Sequence, residues 1–318
     1  MFYCMNKVLE TTEFVVYNSD HVKINNGKIK DFCEAFSESH INHWLNEAPF
    51  DFNSLTEREK LHFLLVFNSI SFCYWGKPKW AVEYKGESFD GAFGMIASIG
   101  KAIESKNNIL NFNYLKNISE KDLAKVLKSK IEIPLFLERL KILREIGSIM
   151  EINFKGDFFN IINASRGDAL KMLDLIIKNF SSFNDFSQYK GKTIYFNKRA
   201  QLLIADIYQS FNKELKNIDK ITACSDYKLP MVLRKLGILE YSNELRDKVD
   251  NKIEILKDSK EEVEIRANTI WAVEFIKKKL KQKIPKINSI HINDHLWLLG
   301  QIKNSEDKPY HLTRTIAY

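Results

Sequence analysis

Residues 56–75 read TEREKLHFLLVFNSISFCYW. Thr56 followed three residues later by Glu59 is the pairing in which each side chain satisfies an amide of the other at a helix start. The apolar run it opens is too long for a strand, so it predicts a buried helix, ended by Gly76 and Pro78. A chain that spends its most apolar stretch on a helix needs other helices to cover it. The flanking sequence supplies them.

Downstream, WAVEYKGES alternates at Val82 and Tyr84 and turns at Lys85-Gly86, which predicts a short hairpin. DGAFGMIASIGKAIES then reads as a helix whose small residues permit close packing. From Ser119 the helical period dominates. SEKDLAKVLKS is capped by Ser119, PLFLERLKILREIGSIM keeps its apolar residues on one face, and SRGDALKMLDLIIKNF follows from Ser165. YKGKTIYFNK has β character around Thr193–Phe196. RAQLLIADIYQSF, LPMVLRKLGIL, EVEIRANTIWAVEFIKKKL and INDHLWLLGQI return to the helical pattern. With 12 Gly and 6 Pro, no repeat and no Gly-, Ser- or Pro-rich linker, the expectation is one mainly α domain over residues 1–318 with a few short strands.

The 318 residues are 45% hydrophobic and 28% charged, the balance of a soluble globular chain. The net charge of +7 suits an anionic ligand, although a general richness in lysine accounts for it equally. No stretch of Lys and Arg is read as a track for a nucleic-acid backbone. Cys4, Cys33, Cys73 and Cys224 form no C-x-x-C pair and have no histidine at ligand spacing, so neither zinc nor a disulfide is expected. The opening MFYCMNKVLETTEF lacks the pattern of a signal peptide, and no apolar stretch matches a membrane span. A cytoplasmic protein is expected.

No phosphate-binding glycine loop, H-E-x-x-H or G-x-S-x-G is present, so the commonest nucleotide and hydrolase signals are excluded. Acids and bases in the second half remain. Lys198 and Arg199 open a helix, where cations oppose the macrodipole and need a compensating anion, either structural or a ligand phosphate. Asp206 follows in an otherwise apolar stretch. In ITACSDYKLP, residues 221–230, Asp226 is a natural cap for a helix starting near Leu229-Pro230, or a carboxylate aimed into a cleft. Glu262 and Arg266 are spaced as an i, i+4 surface pair. Asp294 is either a cap or a recognition residue. His43, before Trp44, reads as structural rather than catalytic.

Together LLVFNSISFCYW, the YKG turn before DGAF, FNKRAQLLIADIY, SDYKLPMVLRKLGIL, EVEIRANTIWAVE, HLWLLG and RTIAY, in this order, resemble the queuosine salvage proteins, the queuosine 5'-phosphate N-glycosylases. The resemblance runs from about Phe63 onward and is strongest between Lys198 and Arg266. It implies an all-helical architecture like that of helix-hairpin-helix DNA glycosylases. It also implies hydrolysis of queuosine 5'-monophosphate to queuine and ribose 5-phosphate, with the base returned to tRNA.

The family's essential acid matches Asp226, beneath the ribose. Asp294 is then a candidate acceptor for the deazaguanine edge, and Lys198 a candidate partner of the 5'-phosphate with Lys228 as the alternative. Asp206 would hold ribose hydroxyls or orient Lys198, and His43 joins the substrate-binding set. Cys224 stands where the family has an aromatic, so stacking would come from Tyr227 or Trp297. Ala92 and Phe93 stand where larger aromatics are usual. No cofactor, metal, membrane or stable nucleic-acid partner is implied. The rivals are a glycosylase acting on a modified base in DNA or tRNA, and a non-enzymatic queuine- or nucleotide-binding protein.

Overall fold

The computed structural model describes residues 6–211, 214–302, 304 and 307–318. Cys4 lies outside them. The fold is mainly helical. Its strands form two-stranded antiparallel pairs: Val22–Ile24 with Leu239–Tyr241, Ala81–Tyr84 with Glu87–Asp90, and Phe186–Tyr189 with Lys192–Tyr195.

The helix Glu57–Ile70 is the centre of the larger apolar cluster. The Thr56 hydroxyl and the Glu59 carboxylate close its first turn reciprocally, and every residue from Leu61 to Ile70 is buried. The helices Phe136–Phe154, Gly91–Glu104 and Lys198–Phe211 pack around it. It ends at Ile70, several residues before the Gly76 stop that the sequence suggests. Two buried arginines explain the early end. Arg139 donates to the carbonyls of Ile70, Phe72, Pro134 and Leu135, and Arg199 to those of Asn68, Ser69 and Ser182. Cations here take the carbonyls that a helix C-terminus leaves open. Burial lowers both guanidiniums to about 10, so they remain charged at neutral pH. Residues 71–75 are thereby released from the helix to build a wall.

A second cluster joins the helices Asn26–Ala35, Lys228–Lys235, Lys260–Leu280 and Ser289–Leu299. A third, smaller one places Val8 and Val15 of the helix Lys7–Tyr17 against Tyr189, Ile194 and Ile270. Trp297 packs against both larger clusters and so marks their junction.

The hairpin at Lys85-Gly86 forms as its sequence suggests, with both turn residues at positive φ of 50° and 87°. The helix it precedes does need small residues: a Cβ on Gly100 would lie 2.4 Å from the Phe50 ring. Two local expectations change. The helix Ala169–Asn179 is capped by Asp168, which accepts from the amides of Leu170 and Lys171, while Ser165 ends the preceding helix. Glu262 and Arg266 do pair, at 3.5 Å, but both are fully buried rather than on the surface. The helix Lys260–Leu280 is covered on every side near its start, so period alone gives it no wet face.

Lys277, Lys278 and Lys279 crowd its last turn, where cations complement the helix dipole. Among the described residues, no helix is long and apolar enough to cross a membrane.

Candidate active site

A cavity of about 320 Å³ opens at the junction marked by Trp297. Its walls come from the released segment Ser71–Trp75, the strand end Phe89–Asp90, the start of the helix Gly91–Glu104, and the loop Cys224–Tyr227.

That loop is pinned before it reaches the cavity. Gln201 holds Thr222 through both ends of its side-chain amide, accepting from the Thr222 amide at 3.0 Å and donating to its hydroxyl at 2.8 Å. The Cys224 amide donates to Asn293 Oδ1 at 2.9 Å. Asp226 then serves the helix Lys228–Lys235: its Oδ1 accepts from the amides of Lys228 and Leu229 at 2.8 and 3.1 Å. Its Oδ2 takes no hydrogen bond among the described residues, and Asp226 lines the cavity. Capping by Oδ1 therefore leaves Oδ2 of the same carboxylate without a protein donor among the described residues. The cap fixes the carboxylate's rotamer at the rigid start of a helix that holds Pro230 in its first turn.

Lys198, Lys228 and Lys79 also line the cavity, in different states. Lys228 donates to the Gly300 carbonyl at 2.7 Å, and Lys79 approaches Asp90 at 3.5 Å. Lys198 is only 6% exposed, and its ammonium has no hydrogen-bond or ion-pair partner among the described residues. The compensating anion for its helix is Asp185, whose Oδ2 accepts the Lys198 amide at 3.2 Å. Asp185 in turn grips the Arg266 guanidinium with both oxygens, at 3.0 and 2.5 Å. An ammonium buried beside a cavity with nothing to pair it is a ready partner for an anionic ligand.

The aromatic walls fall into two sets. Trp44, Phe93 and Trp297 contact one another, with centroids 4.9 to 6.1 Å apart. Tyr227 meets Tyr318 at 4.8 Å and Tyr310 at 5.8 Å. Its hydroxyl donates to the Thr313 carbonyl at 2.5 Å and accepts from Trp75 Nε1 at 3.2 Å. The Tyr318 hydroxyl donates to Glu262 Oε1 at 3.0 Å. The buried Glu262–Arg266–Asp185 group thus ties one wall, at Tyr318, to the helix start that carries Lys198. Burial raises both the Tyr227 and Tyr318 phenols well above their ordinary value, so both stay neutral donors.

Of the residues singled out in the sequence, Asp226, Tyr227, Lys198 and Lys228 come together at the cavity, and Trp297 with them. Asp206, Asp294 and His43 lie behind Trp44 and do not line it. Asp206 accepts the Trp44 indole N–H at 2.9 Å and an Asn68 amide hydrogen at 3.0 Å. Asp294 accepts the Trp44 backbone amide at 3.3 Å, Gln209 at 2.8 Å and Asn293 at 3.0 Å. His43 Nε2 sits 3.7 Å from Asp206 and lines a second, separate cavity of about 460 Å³. These groups fix Trp44, and a single sequence carries no signal that a carboxylate between apolar residues will serve an indole 162 positions away. Cys224 does line the cavity; burial raises its thiol, so it stays neutral. Trp44, Trp75 and Tyr318 were not foreseen because they come from three separate stretches of chain.

Burial raises the Asp294 carboxyl to about 6. Between about pH 4 and 6 the folded chain keeps a proton that the unfolded chain has lost, so this group's contribution weakens the fold as pH rises through that window. Asp294→Asn is neutral throughout. Its unfolding free energy relative to the parent should rise by about 2 kcal/mol between pH 4 and 7 in urea titrations. A difference that stays constant with pH would exclude a raised Asp294.

Among the described residues, no group of three or more His, Cys, Asp or Glu is placed to hold a metal ion. The cavity instead offers the carboxylates of Asp226 and Asp90, the Lys198 ammonium, unpaired among the described residues, and aromatic faces.

Comparison with known proteins bears on which ligand suits this set. Residues 52–318 match the family model described as queuosine salvage protein. A protein of Sphaerobacter thermophilus named queuosine 5'-phosphate N-glycosylase/hydrolase is 36% identical over 98% of this chain and 97% of its own length. Proteins of the same name from Bos taurus and Schizosaccharomyces pombe are 31% and 28% identical, covering 97% and 93% of this chain and 98% and 92% of their own lengths. The chain belongs to the queuosine salvage protein family.

Proposed function

We propose, from that family membership and this cavity together, that the chain is an N-glycosidase that hydrolyses queuosine 5'-monophosphate to queuine and ribose 5-phosphate, for salvage of the base into tRNA. The observation that carries the proposal is Asp226, which lines the cavity and is held by two amides through one oxygen while the other has no protein donor among the described residues. Breaking the bond between C1' and the base nitrogen sends its electron pair to the base and leaves positive charge on the ribose. A fixed carboxylate beneath the sugar stabilises that charge and directs water to C1'. Water's hydroxyl joins C1', and its proton is left for the base.

The heterocycle is assigned to the faces of Trp44, Phe93 and Trp297, which supply the stacking that Cys224 does not. Flat bases are commonly held between such faces. Asp206 and Asp294 then act through Trp44 as positioning residues, with His43 behind them. Asp294 has both oxygens occupied by protein donors, which argues against its reading the base edge directly.

Lys198 is the preferred partner of the 5'-phosphate, since Lys228 already serves the Gly300 carbonyl. Lys198→Ala should raise KM for the 5'-monophosphate about 10- to 100-fold more than for unphosphorylated queuosine, the scale of a charge-assisted hydrogen bond. Equal losses on both substrates would remove Lys198 from the phosphate site.

The unit is taken as the whole chain, 1–318, because the cavity's lining runs from Trp44 to Tyr318. Kinship with helix-hairpin-helix DNA glycosylases belongs to the same proposal and is supported only by the helical scaffold. So does a cytoplasmic setting, supported by the free, buried Cys33, Cys73 and Cys224. No cofactor, membrane or stable nucleic-acid partner is assigned. Incubation with queuosine and its 5'- and 3'-monophosphates, with the released base identified by mass, tests the reading. Release of queuine from the 5'-monophosphate supports it. Release from polymer alone, with salt-sensitive binding of tRNA or duplex DNA, would overturn it in favour of a polymer glycosylase.

A further inference from the structure

The cavity's charges exceed what ribose and phosphate require. Among the described residues that line it, two carry side-chain carboxylates, Asp226 and Asp90. Asp226 is accounted for by the sugar. Asp90 occupies the position before the helix Gly91–Glu104, yet its side chain makes no capping hydrogen bond there. An aspartate at a helix start normally caps it, so this carboxylate is directed to something else. Its contact is Lys79, at 3.5 Å, with both side chains about half exposed, at 52% for Lys79 and 42% for Asp90. Such a pair is long, wet and weak, and a ligand cation can displace it. Asp90 stands at the end of a paired strand, opposite Ala81, and Gly91 turns the chain into the helix with φ of +60°. The carboxylate is thus carried on a rigid corner. Tyr310 and Trp75 line the same cavity and offer it aromatic faces.

The proposed substrate has one group that this corner matches. Queuosine carries on its deazaguanine ring an aminomethyl arm whose secondary amine is protonated near neutral pH. We propose that Asp90 is a specificity-determining residue that binds this ammonium, exchanging Lys79 for the substrate's own cation. The inference rests on the functional reading above. It assigns the remaining carboxylate to the remaining charge: Asp226 to the sugar, Lys198 to the phosphate, Asp90 to the arm of the base. It also gives the site a means of rejecting guanosine nucleotides and deazaguanines whose substituent is neutral.

The test uses two competitive ligands of like size, 7-aminomethyl-7-deazaguanosine 5'-monophosphate, which is cationic on its arm, and the 7-cyano analogue, which is neutral. Inhibition constants are measured against queuosine 5'-monophosphate hydrolysis. Asp90→Asn should weaken the aminomethyl nucleotide about 10-fold and the cyano nucleotide less than about twofold, with Asp90→Glu recovering part of the difference. Lys79→Met, which removes the competing cation, should shift preference the other way, tightening the aminomethyl nucleotide about two- to threefold. If Asp90→Asn changes both nucleotides by the same factor, Asp90 does not read the ammonium and the inference falls. If the parent protein releases no base from queuosine 5'-monophosphate, it is the functional reading that fails.

Discussion

Asp226→Asn is expected to release queuine from queuosine 5'-monophosphate about 10³-fold more slowly than the parent, the scale seen when a single fixed electrostatic group is removed from a charged transition state. The substitution is informative because the fold should tolerate it. Asparagine is as good a helix cap as aspartate, and its amide oxygen can keep the hydrogen bonds from Lys228 and Leu229. What changes is the atom given to the cavity: a neutral amide replaces a negative oxygen where ribose charge develops. Thermal unfolding should therefore move little while kcat collapses. Asp226→Ala should lose the chemistry and also about 1 kcal/mol of stability with the cap. Base release within about tenfold of the parent by Asp226→Asn, followed by mass, would place the catalytic carboxylate elsewhere.

Arg266→Met is expected to cost about 3–5 kcal/mol of folding free energy, because it strips the partner from charges that water cannot reach. Arg266 is fully buried, clamped by Asp185 and 3.5 Å from Glu262. The two acids hold it charged against the desolvation penalty. Without it, Asp185 at the Lys198 helix start and Glu262 under Tyr318 keep their burial and lose their counter-charge. Melting should fall by about 10 °C for a chain of this size, read by calorimetry. Because the arginine braces both Lys198 and Tyr318, surviving folded protein should also show a raised KM. A melting temperature within about 2 °C of the parent would mean that the pair contributes little.

The contrast between these two residues shows where a sequence can be read and where it cannot. Asp226 sits in ITACSDYKLP, where the cap, the proline and the helix start are neighbours in the chain, so its geometry follows from local rules. Arg266 was legible only as half of an i, i+4 pair. That it is buried, and that its stronger partner is Asp185, 81 positions away, depends on which helices cover it. Residues 71–75 make the same point. Their apolar character extends the helical pattern, but Arg139 and Arg199 take the carbonyls at Ile70 and before and turn the rest into a cavity wall.

By itself, the sequence determined that the protein is mainly helical. It also placed the longer helices and the Lys85-Gly86 hairpin, because capping residues, the 3.6-residue period and turn glycines act within one element. LPMVLRKLGIL, helical in pattern, instead ends its helix at Lys235 and gives Leu239 to a strand paired with Val22–Ile24. Through the family that its ordered motifs resemble, the sequence marked Asp226, Tyr227, Lys198, Lys228, Asp206, Asp294 and His43 as candidates. Only the tertiary structure decided that Asp206 and Asp294 stand behind Trp44 rather than in the cavity, and that Asp90 lines it without capping its helix. The physical reason is that burial and pairing of a charge are set by whatever packs against it. Those partners come from distant parts of the chain, where periodicity says which face is covered but not by what.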